Sequence, residues 1–151
     1  MKKKFALTLV SLASVALLAA CGEVSTTGNS GSASGTEIGK TLKIGFNFEE
    51  TGDVASYGTA EQKGAKLAVD EINKAGGVDG KQIEVTDKDN KSELSEASTV
   101  STNLVTQAKV NAIIGPATSG GTGAAITNAA KASVPLVTPS GTQDEDRKSV
   151  V

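Results

Sequence analysis

The stretch IIGPATSGGTGAAI, residues 113–126, decides the fold. An apolar run stops at Gly115-Pro116, a loop of small polar residues follows, and an Ala-rich stretch resumes with helical character. Strand, small loop, helix: the junction leaves backbone N–H groups at a helix start, where anions bind. The anion could be a phosphate or a carboxylate. A Walker loop needs G-x-x-x-x-G-K-[ST]. Gly115, Gly120 and Thr122 fit it, but Gly121 stands where the lysine must be. A dinucleotide fingerprint starting at Gly121 and Gly123 fails at Ile126. A small carboxylate asks for less, a helix start and one or two hydroxyls, which Ser119 and Thr142 offer. A plain tight turn with Ser119 as helix N-cap is the structural alternative.

The same alternation extends outward in both directions. TLKIGFN (41–47) puts Leu42, Ile44 and Phe46 on one face of a strand. A loop over 49–58 leads into AEQKGAKLAVDEINKAGG (60–77), a helix with Gly64, Ala65, Ala68, Val69, Ile72 and Ala75 facing inward and Gly76-Gly77 as its stop. QIEVTD (82–87) has one apolar face and reads as an edge strand. Residues 93–108 form a second helix with Ala97, Val100, Leu104, Val105 and Ala108 inward, and Asn90 and Glu93 at capping-box spacing. NAIIG (111–115) lacks alternation, so it is buried on both faces. A third helix spans about 120–132, and VPLVTP (134–139) is a fourth strand. The order βαβαβαβ predicts an α/β fold with a parallel, doubly wound sheet. Ligands then bind at the carboxyl ends of the strands, where the loops 49–58, 116–120 and 140–142 converge.

Composition narrows the chemistry. The 151 residues include no His, no Trp and one Cys. An intrachain disulfide and a His-based triad are impossible, and a structural zinc lacks ligands. No cofactor or metal is expected, and no enzyme, because no base sits beside a nucleophile in a recognisable motif.

The first residues read as an address. Lys2–Lys4 precede an apolar run from Phe5 to Leu18 that is too short for a comfortable membrane span, so residues 1–20 form a secretory signal. The alternative is a retained anchor helix. Leu18-Ala19-Ala20-Cys21 resembles the lipobox of bacterial lipoproteins, which implies diacylglyceryl modification of Cys21 and anchoring on the extracytoplasmic face of the cell membrane. Ordinary cleavage with a free Cys21 is the other reading. Losing the signal removes three lysines and no acid from a chain of net charge −2. The acidic remainder speaks against nucleic acid as a partner. Residues 21–40, rich in Ser, Thr and Gly, form a flexible linker.

YGTAEQKGAKLAVDEINKAGGVDGKQIEV, AIIGPATSGGTGAA and VPLVTPSGT resemble the N-terminal lobe of extracytoplasmic substrate-binding proteins for branched-chain amino acids, of the periplasmic-binding-protein type I fold, which serve ABC importers. The resemblance covers residues 42–142. It implies that Ser119 holds the ligand carboxylate with its hydroxyl and N–H. It also implies that Thr142 touches carboxylate and ammonium, that the Ser140 carbonyl accepts from the ammonium, and that Tyr57 walls the side-chain pocket. Leucine, isoleucine or valine would be the ligand, and the membrane permease subunits the partners. One departure is FNFEETGDV (46–54), where the family often carries a more apolar loop. A second is length: the family has two lobes. The resemblance therefore implies a truncated N-terminal-lobe fragment, with a non-family tail at 143–151 and weak or absent binding. A sensing or adhesion lipoprotein using the same lobe is the alternative function.

Overall fold

A computed structural model describes residues 36–144. The signal, Cys21, most of the linker and most of the tail lie outside the described residues. β1 (Leu42–Phe48), α1 (Ala55–Lys74), β2 (Ile83–Asp89), α2 (Leu94–Asn103), β3 (Ala112–Ile114), α3 (Ser119–Lys131) and β4 (Leu136–Val137) follow in order, with one π-helical turn, Leu104–Ala108, continuing α2. The four strands are parallel, in the order β2-β1-β3-β4. The predicted parallel α/β sheet is present, and β2 is at an edge as its single apolar face requires.

The sheet is covered on both faces. Ile44, Phe46 and Phe48 of β1, with Ile83, Val85, Ala112 and Ile114, meet Ala65 and Val69 of α1. On the other face Ile113 and Leu136 pack with Val100 and Leu104, and with Ala125 and Ala129 of α3. β1 presents Gly45 to that second face, and a Cβ there would stand 2.9 Å from the Leu104 methyls. The chain leaves β1 toward β2 on one side and β3 toward β4 on the other. The switch point of the topology therefore lies between the carboxyl ends of β1 and β3.

Several boundaries differ from the sequence reading, each for a local reason. α1 begins at Ala55, five residues before the expected start, so the loop after β1 is short. Gly58 lies inside the helix and does not break it, because it lets the helix press against β1: a Cβ would sit 2.2 Å from the Glu49 carbonyl oxygen. α1 is also turned about its axis. Gly58, Gln62 and Val69 are buried, while Gly64, Ala68, Ile72 and Ala75, expected inside, are exposed. Two polar residues hold it there. The Gln62 amide donates to Asp87 (2.6 Å), and Asn73 both accepts from Ile83 N–H (2.7 Å) and donates to Ile83 C=O (2.9 Å). At the other end Gly76 takes φ 108° and Gly77 N–H closes on Ile72 C=O, the stop that the Gly-Gly pair predicts.

The capping box at Asn90 and Glu93 does not form. Asn90 accepts from Ser92 N–H instead, and Glu93 caps α2 without a side-chain bond. α3 is capped by Thr118, not Ser119, through a 3.1 Å bond from Gly121 N–H. β4 is only two residues long. The end of the expected linker is tied to the lobe: Asn111 donates to Thr36 C=O (2.9 Å), and Ile38 lines a hollow of about 110 Å³ with Leu42, Val78, Asp79 and Lys81.

Candidate functional site

The carboxyl ends of β1 and β3 are joined by Glu49. It is 1% exposed. One of its oxygens accepts from Ala117 N–H (2.9 Å), and the other from Thr118 Oγ1 (2.8 Å) and Thr118 N–H (3.3 Å). Three donors converge on its two oxygens. The start of α3 supplies the favourable dipole. Its position follows from strand parity: Gly45, Asn47 and Glu49 alternate onto the face that α2 and α3 cover. Asn47 and Asn90, both buried, continue the polar seam. Asn47 donates to Ala97 C=O at 3.0 Å, and Asn90 donates to Asn47 Oδ1 at 3.1 Å.

Three of the four ligand residues expected from sequence come together at this edge. Ser119 opens α3, and its hydroxyl accepts from Thr142 N–H at 3.1 Å. Ser140 Oγ lies 2.8 Å from Ala117 C=O and 2.5 Å from Glu61 Oε1. Tyr57, on the first turn of α1, is 65% exposed. It stands one helical turn before Glu61, the residue that reaches Ser140. Cys21 lies outside the described residues.

Sequence reasoning passed over Glu49, Glu61 and Thr118. The signal for Glu49 was its parity with Gly45 and Asn47; as one of two adjacent acids after a strand it reads as a solvated loop. Glu61 lies outside the apolar stripe that the sequence assigns to the inner face of α1, yet it reaches Ser140, and its Oε2 is buried with no hydrogen-bond partner among the described residues.

A second acidic group borders the site. Asp89 accepts from Glu50 N–H, Thr51 N–H and Lys91 N–H, and from Thr51 Oγ1 at 2.6 Å. Burial opposes its charge, but these hydrogen bonds outweigh it and hold its carboxyl below the usual value. Glu50 is pushed up, first by burial and then by Asp87 and Asp89. Asp87 pairs with Lys66 at 2.7 Å and raises the lysine's pKa chiefly through that hydrogen bond. The loop from Glu50 to Val54 is thus held against the carboxyl end of β2. Among the described residues no group of three or more metal-ligating side chains occurs.

A parallel sheet, a switch point lined with small polar residues, and a helix start facing it make up the candidate binding edge. Residues 41–151 match a family described as periplasmic binding protein. The chain belongs to that family. The match runs to Val151, across the residues 143–151 that lack apolar periodicity and were expected to be foreign to it.

Among periplasmic binding proteins, the leucine-, isoleucine-, valine-, threonine- and alanine-binding protein of Pseudomonas aeruginosa is 35% identical over 115 residues, covering 76% of this chain and 31% of that protein. The branched-chain amino acid transporter substrate-binding protein LivJ of Streptococcus pneumoniae, in complex with isoleucine, superimposes with a TM-score of 0.70. It is 72% identical and covers 72% of this chain and 31% of that one. A solute-binding protein of an ABC transporter from Rhodopseudomonas palustris, in complex with 3,4-dihydroxybenzoic acid, reaches 0.67 at 29% identity, covering 74% and 30%. The chain thus spans about a third of the length of these relatives.

Proposed function

We propose that this lobe serves the solute-binding component of an ABC importer and captures a branched-chain amino acid (leucine, isoleucine or valine) outside the cell. The observation that carries the proposal is the meeting of Ser119 and Thr142 at the switch point, at the start of α3, in a chain 72% identical to an isoleucine-bound LivJ.

In this reading Ser119 donates to the ligand carboxylate from its hydroxyl and N–H, and Thr142 turns from Ser119 to the ligand. The Ser140 carbonyl accepts from the ammonium. Tyr57 walls one side of the aliphatic side chain. Neutral donors at a helix start suit the anionic end of a zwitterion. The signal at 1–20 directs export, Cys21 carries the lipid anchor, and the permease subunits of the importer are the macromolecular partner. Loss of membrane partition in the Cys21→Ala variant is the expected sign of that anchor, and unchanged partition overturns it.

One lobe offers one wall. A zwitterion must lose water at both ends, and that cost is offset only when both gain partners. The described lobe leaves the ligand side chain open, so the chain by itself should bind leucine, isoleucine or valine with Kd about 1 mM or weaker, near −4 kcal/mol. Titration of the full chain with each amino acid, followed by NMR, tests this. Shifts confined to the loops 49–54, 116–120 and 138–142 are expected. No shift in any of them overturns the ligand assignment, and micromolar affinity overturns the half-site account.

A further inference from the structure

Glu49 has no part in the ligand contacts just described, yet it is the buried charge nearest the start of α3. Its partners are the N–H groups of Ala117 and Thr118 and the Thr118 hydroxyl, all uncharged. Among the described residues no Lys or Arg forms an ion pair with it. Gly121 is close behind: a Cβ there would lie 3.1 Å from a Glu49 carboxylate oxygen. The helix start therefore already holds one anion, supplied by the chain itself, in the loop where the sequence departs from the family's more apolar pattern.

We propose that Glu49 is a specificity-determining residue that restricts the site to ligands of zero net charge. The proposal rests on the amino-acid reading above and names the charge class that the site admits. The positive end of a helix dipole amounts to about half an elementary charge. Glu49 takes that up, and it occupies the donors that precede Ser119. A ligand carboxylate bound at Ser119 is then a second anion at the same helix start. An amino acid brings its own ammonium and adds no net charge. A carboxylate without the ammonium, or a phosphate, meets the uncompensated field of Glu49. The fold does not impose such a rule, since a relative of the same architecture is in complex with 3,4-dihydroxybenzoic acid, an anion at neutral pH. Discrimination must come from side chains, and Glu49 is placed to provide it.

The test compares leucine with isocaproate, which is leucine lacking only the amino group, and with inorganic phosphate. Binding is followed at the Ser119 and Gly120 amides of the isotope-labelled full chain, in the parent, Glu49→Gln and Glu49→Asp. The parent should prefer leucine. In Glu49→Gln the ratio of leucine to isocaproate affinity should fall on the order of tenfold, the scale of one nearby, partly screened charge. Glu49→Asp, which keeps the charge, should retain the preference. A ratio unchanged within about twofold in Glu49→Gln overturns the proposal. If leucine moves neither amide in the parent, the amino-acid reading falls. Phosphate then judges Glu49 alone: it must bind at these amides in Glu49→Gln and not in the parent. Should Glu49→Gln fail to fold, the parent decides, and phosphate held there as tightly as leucine overturns the proposal.

Discussion

The two faces of the sheet are held by different means. On the α2–α3 face, Leu104, Val110, Ile113, Ala125 and Ala129 are at most 1% exposed, and Gly45 makes room for Leu104. On the α1 face the sheet supplies Phe46 and Phe48, packed edge to face at 5.6 Å, but the helix answers with few apolar groups. It is held in place by Gln62 and Asn73 reaching β2. Leu67 remains 59% and Ile72 38% exposed. Close packing fixes one side, and directional polar bonds fix the other.

Three substitutions, each read by urea unfolding of the full chain, probe that contrast. Leu104→Ala should cost the most, about 2–5 kcal/mol, because the cavity sits in a face with no slack. A loss below about 1 kcal/mol would mean that this face collapses and is not close-packed. Asn73→Ala should cost about 2 kcal/mol, since it strips partners from the N–H and C=O of Ile83, a residue only 9% exposed. No measurable loss would transfer the anchoring of α1 to apolar contacts. Ile72→Ser should change stability by no more than about 0.5 kcal/mol. A larger loss would show that the flank of α1 is covered in solution.

How far the sequence could be read follows the same division. The face of α2 was legible because its inward residues, Ala97, Val100 and Leu104, are apolar and evenly spaced. The edge position of β2 and the central position of β3 were legible from alternation and its absence. The face of α1 was misread because hydrophobic periodicity cannot see a hydrogen bond. Gln62 and Asn73 occupy the inner stripe, and Ala68 and Ile72 are turned out. At the candidate site, small polar loops and family resemblance pointed to the edge where Ser119, Ser140 and Thr142 meet. Glu49 was not legible, because a carboxylate's burial depends on donors about seventy residues away, at Ala117 and Thr118.

The tie between Asn111 and Thr36 has a mechanical consequence. It fixes where the chain enters the lobe, at the head of β1, the end opposite the candidate site. β1 is bonded to β2 along its whole length and to β3 over Ile44–Phe46. A pull on the chain ahead of Leu42, resisted at the carboxyl ends of the strands, runs along the strand axis. Such a load shears both ladders at once instead of peeling them bond by bond, so the entry point places the pull where the sheet resists it best.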